Sequence, residues 1–310
     1  MKRFVAATLL ALAPFAAPIA AHAAPKPKVI AVPGFADFLA VDGDTVWATN
    51  RGRVEQWSLT GMKATVPLAH PCGGMAVADG ALWVANCADR TVNRIDTATG
   101  KLVATIASGI ANDKEGELNV VAGAGSIWVA SDAKGVVSRI DPATNAVIAT
   151  VPVDPGSWYM AAGEGAIWVV SAAQQSLQRI DPATNTVTAR TPLGKAPGFL
   201  AAGEGSVWVQ EQGDGTLARI DPKSGALLGR VKVGENLKWG DIDTGAGKVW
   251  LRTTDDQVFA VIDAQTMVID ARVGKPAGSG GLRFSPAGIW TSAHDAHTLT
   301  WWPEPGSYGK

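Results

Sequence analysis

The chain has 310 residues, with 27 Lys and Arg against 28 Asp and Glu, a formal net charge of −1 and only 2 cysteines. A near-neutral balance with no basic run excludes the electrostatic footprint of a nucleic-acid binder. The length admits one large β domain or two ordinary ones, and 35 Gly with 12 Trp fit many tight turns between packed strands.

The first element is a targeting segment. Lys2 and Arg3 precede an apolar run from Phe4 to Ala20, and Ala21-His22-Ala23 is a small-x-small cleavage site. This pattern predicts a secretory signal over 1–23, removed after Ala23. The run is short for a membrane anchor and carries Pro14 and Pro18, so no span is expected in the mature chain. The expected location is the periplasm or beyond, with residues 24–310 forming one domain.

Val29-Ile30-Ala31-Val32 resembles the outer strands of later repeats, such as Val147-Ile148-Ala149-Thr150-Val151. Lys28 to Val32 is therefore expected to return to the C-terminal repeat and complete it, leaving no open edge. The stretch from Gly73 to Gly109 is the model unit. It holds four short apolar or alternating runs, each closed by a turn signal. Asp79-Gly80 is a two-residue hairpin turn, because both central positions need positive φ. Asp96 opens a second turn that ends at Gly100.

The unit recurs on one residue. Trp47, Trp83, Trp128, Trp168, Trp208, Trp250 and Trp290 each follow Val, Leu or Ile. Eight positions before them stand Leu39, Met75, Val120, Met160, Leu200, Ile242 and Leu282, all apolar. Thirteen positions after five of them stand Asp96, Asp141, Asp181, Asp221 and Asp263. Seven anchors, each in a four-stranded antiparallel unit with strands a to d, predict an all-β, seven-bladed β-propeller. The repeating Asp residues, with Arg94, Arg139, Arg179 and Arg219, read as turn caps and inter-strand partners.

The Asp79-Gly80 turn sets Cys72 opposite Cys87, and an oxidising compartment would allow a bridge. By the turn geometry this is a hydrogen-bonded position, where side chains stand further apart.

Strand a of a propeller lines the central channel, and the d–a and b–c loops share one face. Nine positions before each anchor, where strand a begins, stand Phe38, Gly74, Asn119, Tyr159, Phe199, Asp241 and Gly281, with Trp158 and Trp239 beside them. This ring breaks the repeat while its apolar neighbour keeps it. Residues that vary between blades are free to serve a ligand, and an aromatic and polar mouth suits a small molecule. The alternative is that they plug the channel. Asp241 is expected to face Arg252 across its hairpin, and Asp243 and Arg283 stand at equivalent positions in adjacent blades. Both pairs read first as ion pairs. Glu117, Glu211 and Asp255 sit on or near the same loops with oxygen donors suited to a cation. His294 and His297 lie in the last b–c loop. Their spacing would suit zinc on a helix, but this is a β loop without a matching third ligand. No phosphate-binding Gly-rich loop and no nucleophile elbow is present.

At Leu82–Asn86, Thr91–Asp96 and Lys101–Ile106 the chain resembles the YVTN-type (YncE-like) propeller repeat, with Trp-Val-Ala-Asn where that repeat has Tyr-Val-Thr-Asn. Through its Gly-x-x-x-Trp repeats it is also similar to the streptogramin (virginiamycin B) lyase propellers. That likeness implies a histidine base and a magnesium ion held by glutamate on the top face. Blade seven departs from that set, offering Gly281, Arg283 and His294 with no glutamate nearby. Quinone-cofactor dehydrogenases share the turn at Asp96–Lys101, but they typically have eight blades and adjacent cysteines, which this chain lacks.

The resulting expectation is an exported, monomeric propeller without a resident cofactor, binding a small molecule or a periplasmic protein at its top-face mouth. Its expected ligand-binding residues are Phe38, Asn119, Trp158, Tyr159, Phe199, Trp239, Asp241, Glu211, Arg252, Arg283 and His294. Two alternatives stand beside it: a lyase or lactonase assisted by magnesium or calcium, and a partner of a periplasmic redox enzyme.

Overall fold

A computed structural model describes residues 26–237, 240–253 and 258–309. The signal segment, Trp239 and Asp255 lie outside the described residues. Among those described, strands form seven four-stranded antiparallel sheets, each in simple a-b-c-d order. Blade two, for example, runs Pro71–Ala78, Ala81–Asn86, Thr91–Asp96 and Lys101–Ile106. Blade seven takes its three inner strands from Leu282–Ser285, Gly288–Ala293 and Thr298–Pro303, and its outer strand from Lys28–Ala31. The ring is thus closed by the N-terminal strand, and Val32 N–H extends the clasp by donating to His297 O at 2.8 Å. No described helix is long and apolar enough to cross a membrane.

The a–b turns follow the φ requirement read from Asp79-Gly80. Asp79 and Gly80 have φ of 52° and 67°. Ala124-Gly125, Glu164-Gly165, Glu204-Gly205 and Ala246-Gly247 repeat the doubly positive pattern, whose twist matches the strands it joins.

Each anchor Trp is fully buried, at 0–1% exposure, and fills the space between neighbouring sheets. In five blades its indole N–H donates to the carbonyl five residues earlier, as Trp128 does to Gly123 O at 3.0 Å. Burial of so large a ring makes truncation to Ala cost about 4 kcal/mol. Strand pairing sets an Arg opposite the ring in blades two to five, with Arg139 4.9 Å from the Trp128 centroid.

These arginines reach further than in-blade pairing. Arg94 donates to Pro142 O and Asn145 Oδ1 at 2.7 and 3.1 Å, and Arg139 to Pro182 O and Asn185 Oδ1 at 2.6 and 2.9 Å. Arg94 and Arg139 therefore each tie their blade to the c–d turn of the next. The aspartates do cap turns: Asp96 accepts from Thr99 N–H and Oγ1 at 2.8 and 2.7 Å.

Cys72 and Cys87 form a disulfide with Cα atoms 6.0 Å apart. Their expected direct opposition is corrected by the register. Ala76 pairs with Trp83 as the turn dictates, but a bulge between Cys72 and Ala76 sets Cys72 against Ala85. Gly73, at φ 74°, lies in that bulge, and a side chain there would strike the Leu118 carbonyl. The cysteines are thus a diagonal pair, free of the spacing that a hydrogen-bonded pair imposes.

Candidate functional site

The d–a and b–c loops converge on a top-face cavity of about 420 Å³. The d–a connections bring Phe35, Asp37 and Phe38 ahead of blade one, Glu115 and Glu117 ahead of blade three, and Gly240-Asp241 and Ser279–Gly281 ahead of blades six and seven. The last b–c loop, a single 3₁₀ turn over His294–Ala296, brings His294 and Asp295. Phe199 closes one wall. Glycines at Gly240 and Gly280 let the chain pass close to the neighbouring strands, since a Cβ there would strike the carbonyls of Arg252 and Ser292. A second cavity of about 230 Å³ shares Phe35, Asp37, Phe38 and Glu115 and extends to His70 and Cys72.

Of the ring read from sequence, Phe38, Phe199, Asp241 and Gly281 line the cavity. Tyr159 packs its ring 4.6 Å from that of Phe199 and donates its hydroxyl to Glu117 Oε2 at 2.7 Å. Burial, with the Glu117 charge beside it, pushes the Tyr159 phenol well above its ordinary value. Glu117 is thereby held as the acceptor in this pair.

Asn119 belongs elsewhere. It lines a lower cavity of about 270 Å³ built on strand a, and its Oδ1 accepts Met160 N–H at 3.2 Å. Trp158 is half-buried where three apolar clusters meet, and its indole N–H has no partner among the described residues. Glu211 is fully buried in a closed pair: Arg230 donates through Nε and Nη2 at 2.7 and 2.9 Å, Thr216 Oγ1 at 2.6 Å and Gly194 N–H at 2.7 Å. Burial works against its charge, but these four donors outweigh it and hold the carboxyl below its usual range. It does not line the mouth cavity.

The expected ion pairs are exchanged. Asp241 and Arg252 meet through the backbone, Arg252 N–H donating to Asp241 O at 2.7 Å. The fully buried Arg252 guanidinium instead donates to four carbonyls, those of Thr253, Val258, Gly278 and Ser292. Its rigid fork suits fixed carbonyl oxygens, and in doing so it joins blades six and seven. Burial pushes it down to about 10, against the pull of Asp241, Asp295 and Asp37.

The side-chain partner of Asp241 is Arg283, at 2.5 Å. Asp241 also accepts Ile242 and Leu282 N–H at 2.8 and 3.1 Å. Asp243 caps its neighbours, accepting Phe284 and Thr244 N–H at 2.9 and 2.8 Å. Burial raises its carboxyl, partly offset by the Arg283 charge.

His294 stacks on Phe35, centroids 4.0 Å apart and planes 21° from parallel, with Nδ1 2.8 Å from Asp295 Oδ1. Burial pushes the imidazole below its ordinary value despite Asp295.

Asp37 is the residue the repeat did not single out. Its backbone carbonyl accepts from Ser292 Oγ and Gly281 N–H, but its carboxyl has no hydrogen-bond partner among the described residues. Burial, with Glu117, Asp241 and Asp295 nearby and only Arg252 opposing, pushes it up to about 7. A signal did exist one position outside the ring considered. Ten residues before the anchors stand Asp37, Gly73, Leu118, Trp158, Gly198, Gly240 and Gly280, where Asp37 is the one ionisable side chain.

Among the described residues no three His, Cys, Asp or Glu side chains come together as a metal site. Glu117, Asp241 and Asp295 are committed to Tyr159, Arg283 and Ser279. These residues therefore do not fit the magnesium site implied by the lyase likeness.

The fold and the mouth define a seven-bladed β-propeller with a recessed top-face pocket. No protein-family model matches the chain, and no curated protein matches it. Among solved structures it is similar to a streptogramin B lyase, with TM-score 0.73 and 15% identity over 89% of this chain and 96% of that one. It is also similar to BamB from Moraxella catarrhalis, with TM-score 0.64 and 15% identity over 87% of this chain and 85% of that one. At these identities the likeness is one of fold.

Proposed function

We propose that this protein is an exported binding module that holds a small molecule at the top-face mouth. The observation that carries the reading is the mouth cavity itself. Its lining breaks the repeat, and one of its carboxyls, Asp37, is left uncommitted. Uncommitted polar groups in an apolar-walled recess are what fix a ligand's orientation. Export is supported by the disulfide, which persists in oxidising compartments, together with the pattern over 1–23. The YVTN-type repeat fits the same reading, as a scaffold with variable rim loops. A thermal-shift screen of diverse small molecules on wild type and Phe199→Ala tests it. Stabilising compounds whose effect disappears in the variant are expected. Finding none, or only compounds indifferent to the substitution, overturns the reading.

Asp37 favours a second reading, a lyase or lactonase. A carboxyl with pKa about 7 in a cleft is suited to take a proton from substrate near neutral pH. Turnover of cyclic esters that is abolished by Asp37→Asn would support it. Turnover unchanged by that substitution would exclude Asp37 as the base.

A further inference from the structure

The mouth combines three features that together specify a ligand class. Its charged lining is acidic: Asp37, Glu115, Glu117 and Asp295 face the space, with Asp241 already neutralised by Arg283. Among the described lining residues there is no Lys or Arg, and burial disfavours the charged form of His294. The walls are aromatic, with Phe38 and Phe199 6.2 Å apart and tilted at 45°. Finally, the Asp37 carboxyl is half-buried, opens onto the cavity and makes no hydrogen bond among the described residues.

We propose that the mouth binds an organic cation, a protonated amine or quaternary ammonium on a compact apolar body, with its charge against the Asp37 carboxylate and its body against Phe38 and Phe199. This rests on the mouth being the ligand site. A cation gains from both wall types, because aromatic faces carry negative quadrupole density and buried carboxylates lack counter-charge. An anion would meet four carboxylates. A neutral apolar molecule would leave Asp37 unpaired and desolvated, which is costly. The volume of about 420 Å³ is at the small end of ligand pockets, which limits the body to one or two rings.

The cation also resolves the electrostatic conflict around Asp37. Glu117 from blade three's approach, Asp241 from blade six and Asp295 from blade seven all disfavour its charge, and Arg252 alone favours it. A bound cation makes ionisation favourable, so binding releases a proton and affinity rises with pH through about 7.

Isothermal titration of the whole mature chain with benzyltrimethylammonium, whose charge does not titrate, and with benzyl alcohol tests this. Saturable binding of the cation is expected, at least about tenfold tighter than the alcohol. Its affinity should rise several-fold from about pH 6 to about pH 8 and weaken about tenfold in Asp37→Asn, with the pH dependence lost. Circular dichroism and melting would establish that the variant is folded. Equal affinity for the two probes, no saturation below about 10 mM, or unchanged affinity in Asp37→Asn overturns the inference. Alcohol binding abolished by Phe199→Ala alongside no preference for charge would leave the mouth as a ligand site while removing the cation.

Discussion

Asp241 and Arg283 meet at 2.5 Å across blades six and seven, and the pair stands between two cavities. Asp241 lines both the top-face mouth and the lower channel, while Arg283 lines the lower channel alone. The axis of the propeller is therefore divided by an ion pair. Asp241 is 3% exposed, so little solvent screens it from that partner.

Removing one member should therefore cost more than the pair is worth. Arg283→Met leaves a buried carboxylate without its cation and is expected to lower unfolding free energy by about 3 kcal/mol. Asp241→Asn combined with Arg283→Met should recover at least half of that loss. Urea denaturation of the three variants measures both. A single-variant loss below about 1 kcal/mol would show that the pair is solvent-screened.

Asp37 makes stability depend on pH in an unusual direction for a carboxylate. Its folded value, about 7, lies above the ordinary unfolded value near 4. Between those limits the folded state holds a proton that the unfolded state has lost, so its contribution to stability falls as pH rises from about 4 to about 7. Asp37→Asn removes this dependence. The variant should melt a few degrees above wild type at about pH 8 and at about the same temperature at about pH 4. Paired calorimetric scans at the two pH values check it. Equal shifts at both would contradict the raised value.

The arginine ties between blades have one gap, which can be filled. Arg139 finds Asn185 in the next blade's c–d turn, but at the corresponding place Arg179 finds Gly225. Arg179 turns back to Thr188 Oγ1 within its own blade, its Nε has no partner among the described residues, and it stands 6.0 Å from the Trp168 ring. Gly225 has φ 72°, a left-handed conformation that Asn145 and Asn185 already adopt at 56° and 55°. Gly225→Asn should therefore stabilise by about 0.5–1 kcal/mol through a regained charge-assisted bond. The gain should vanish in an Arg179→Ala background, as a double-mutant cycle would report.

The disulfide closes a separation of 15 residues. Replacing both cysteines by Ala should cost about 3 kcal/mol by the loop-entropy relation. Wild type in a strong reductant should fall by a similar amount. Thiol titration of the denatured, unreduced protein should find none free. Two free thiols would refute the bridge.

What the sequence by itself determined here is whatever recurs. Seven buried Trp anchors, the doubly positive a–b turns and the N-terminal strand joining blade seven follow from local rules on hydrophobic period, turn φ and edge pairing, each carried within one unit or its copy. Even the Cys72–Cys87 partnership was legible, though its diagonal register was not, because the bulge at Gly73 depends on the Leu118 carbonyl of the neighbouring blade. Only the tertiary structure decided which charges meet. Asp241 exchanged its hairpin neighbour Arg252 for Arg283, Glu211 closed on Arg230, and Asp37 was left with no partner at a mouth assembled from five different blades. Ring closure brings together side chains hundreds of residues apart, and charges select partners by distance and burial after that closure, so no local pattern encodes the result.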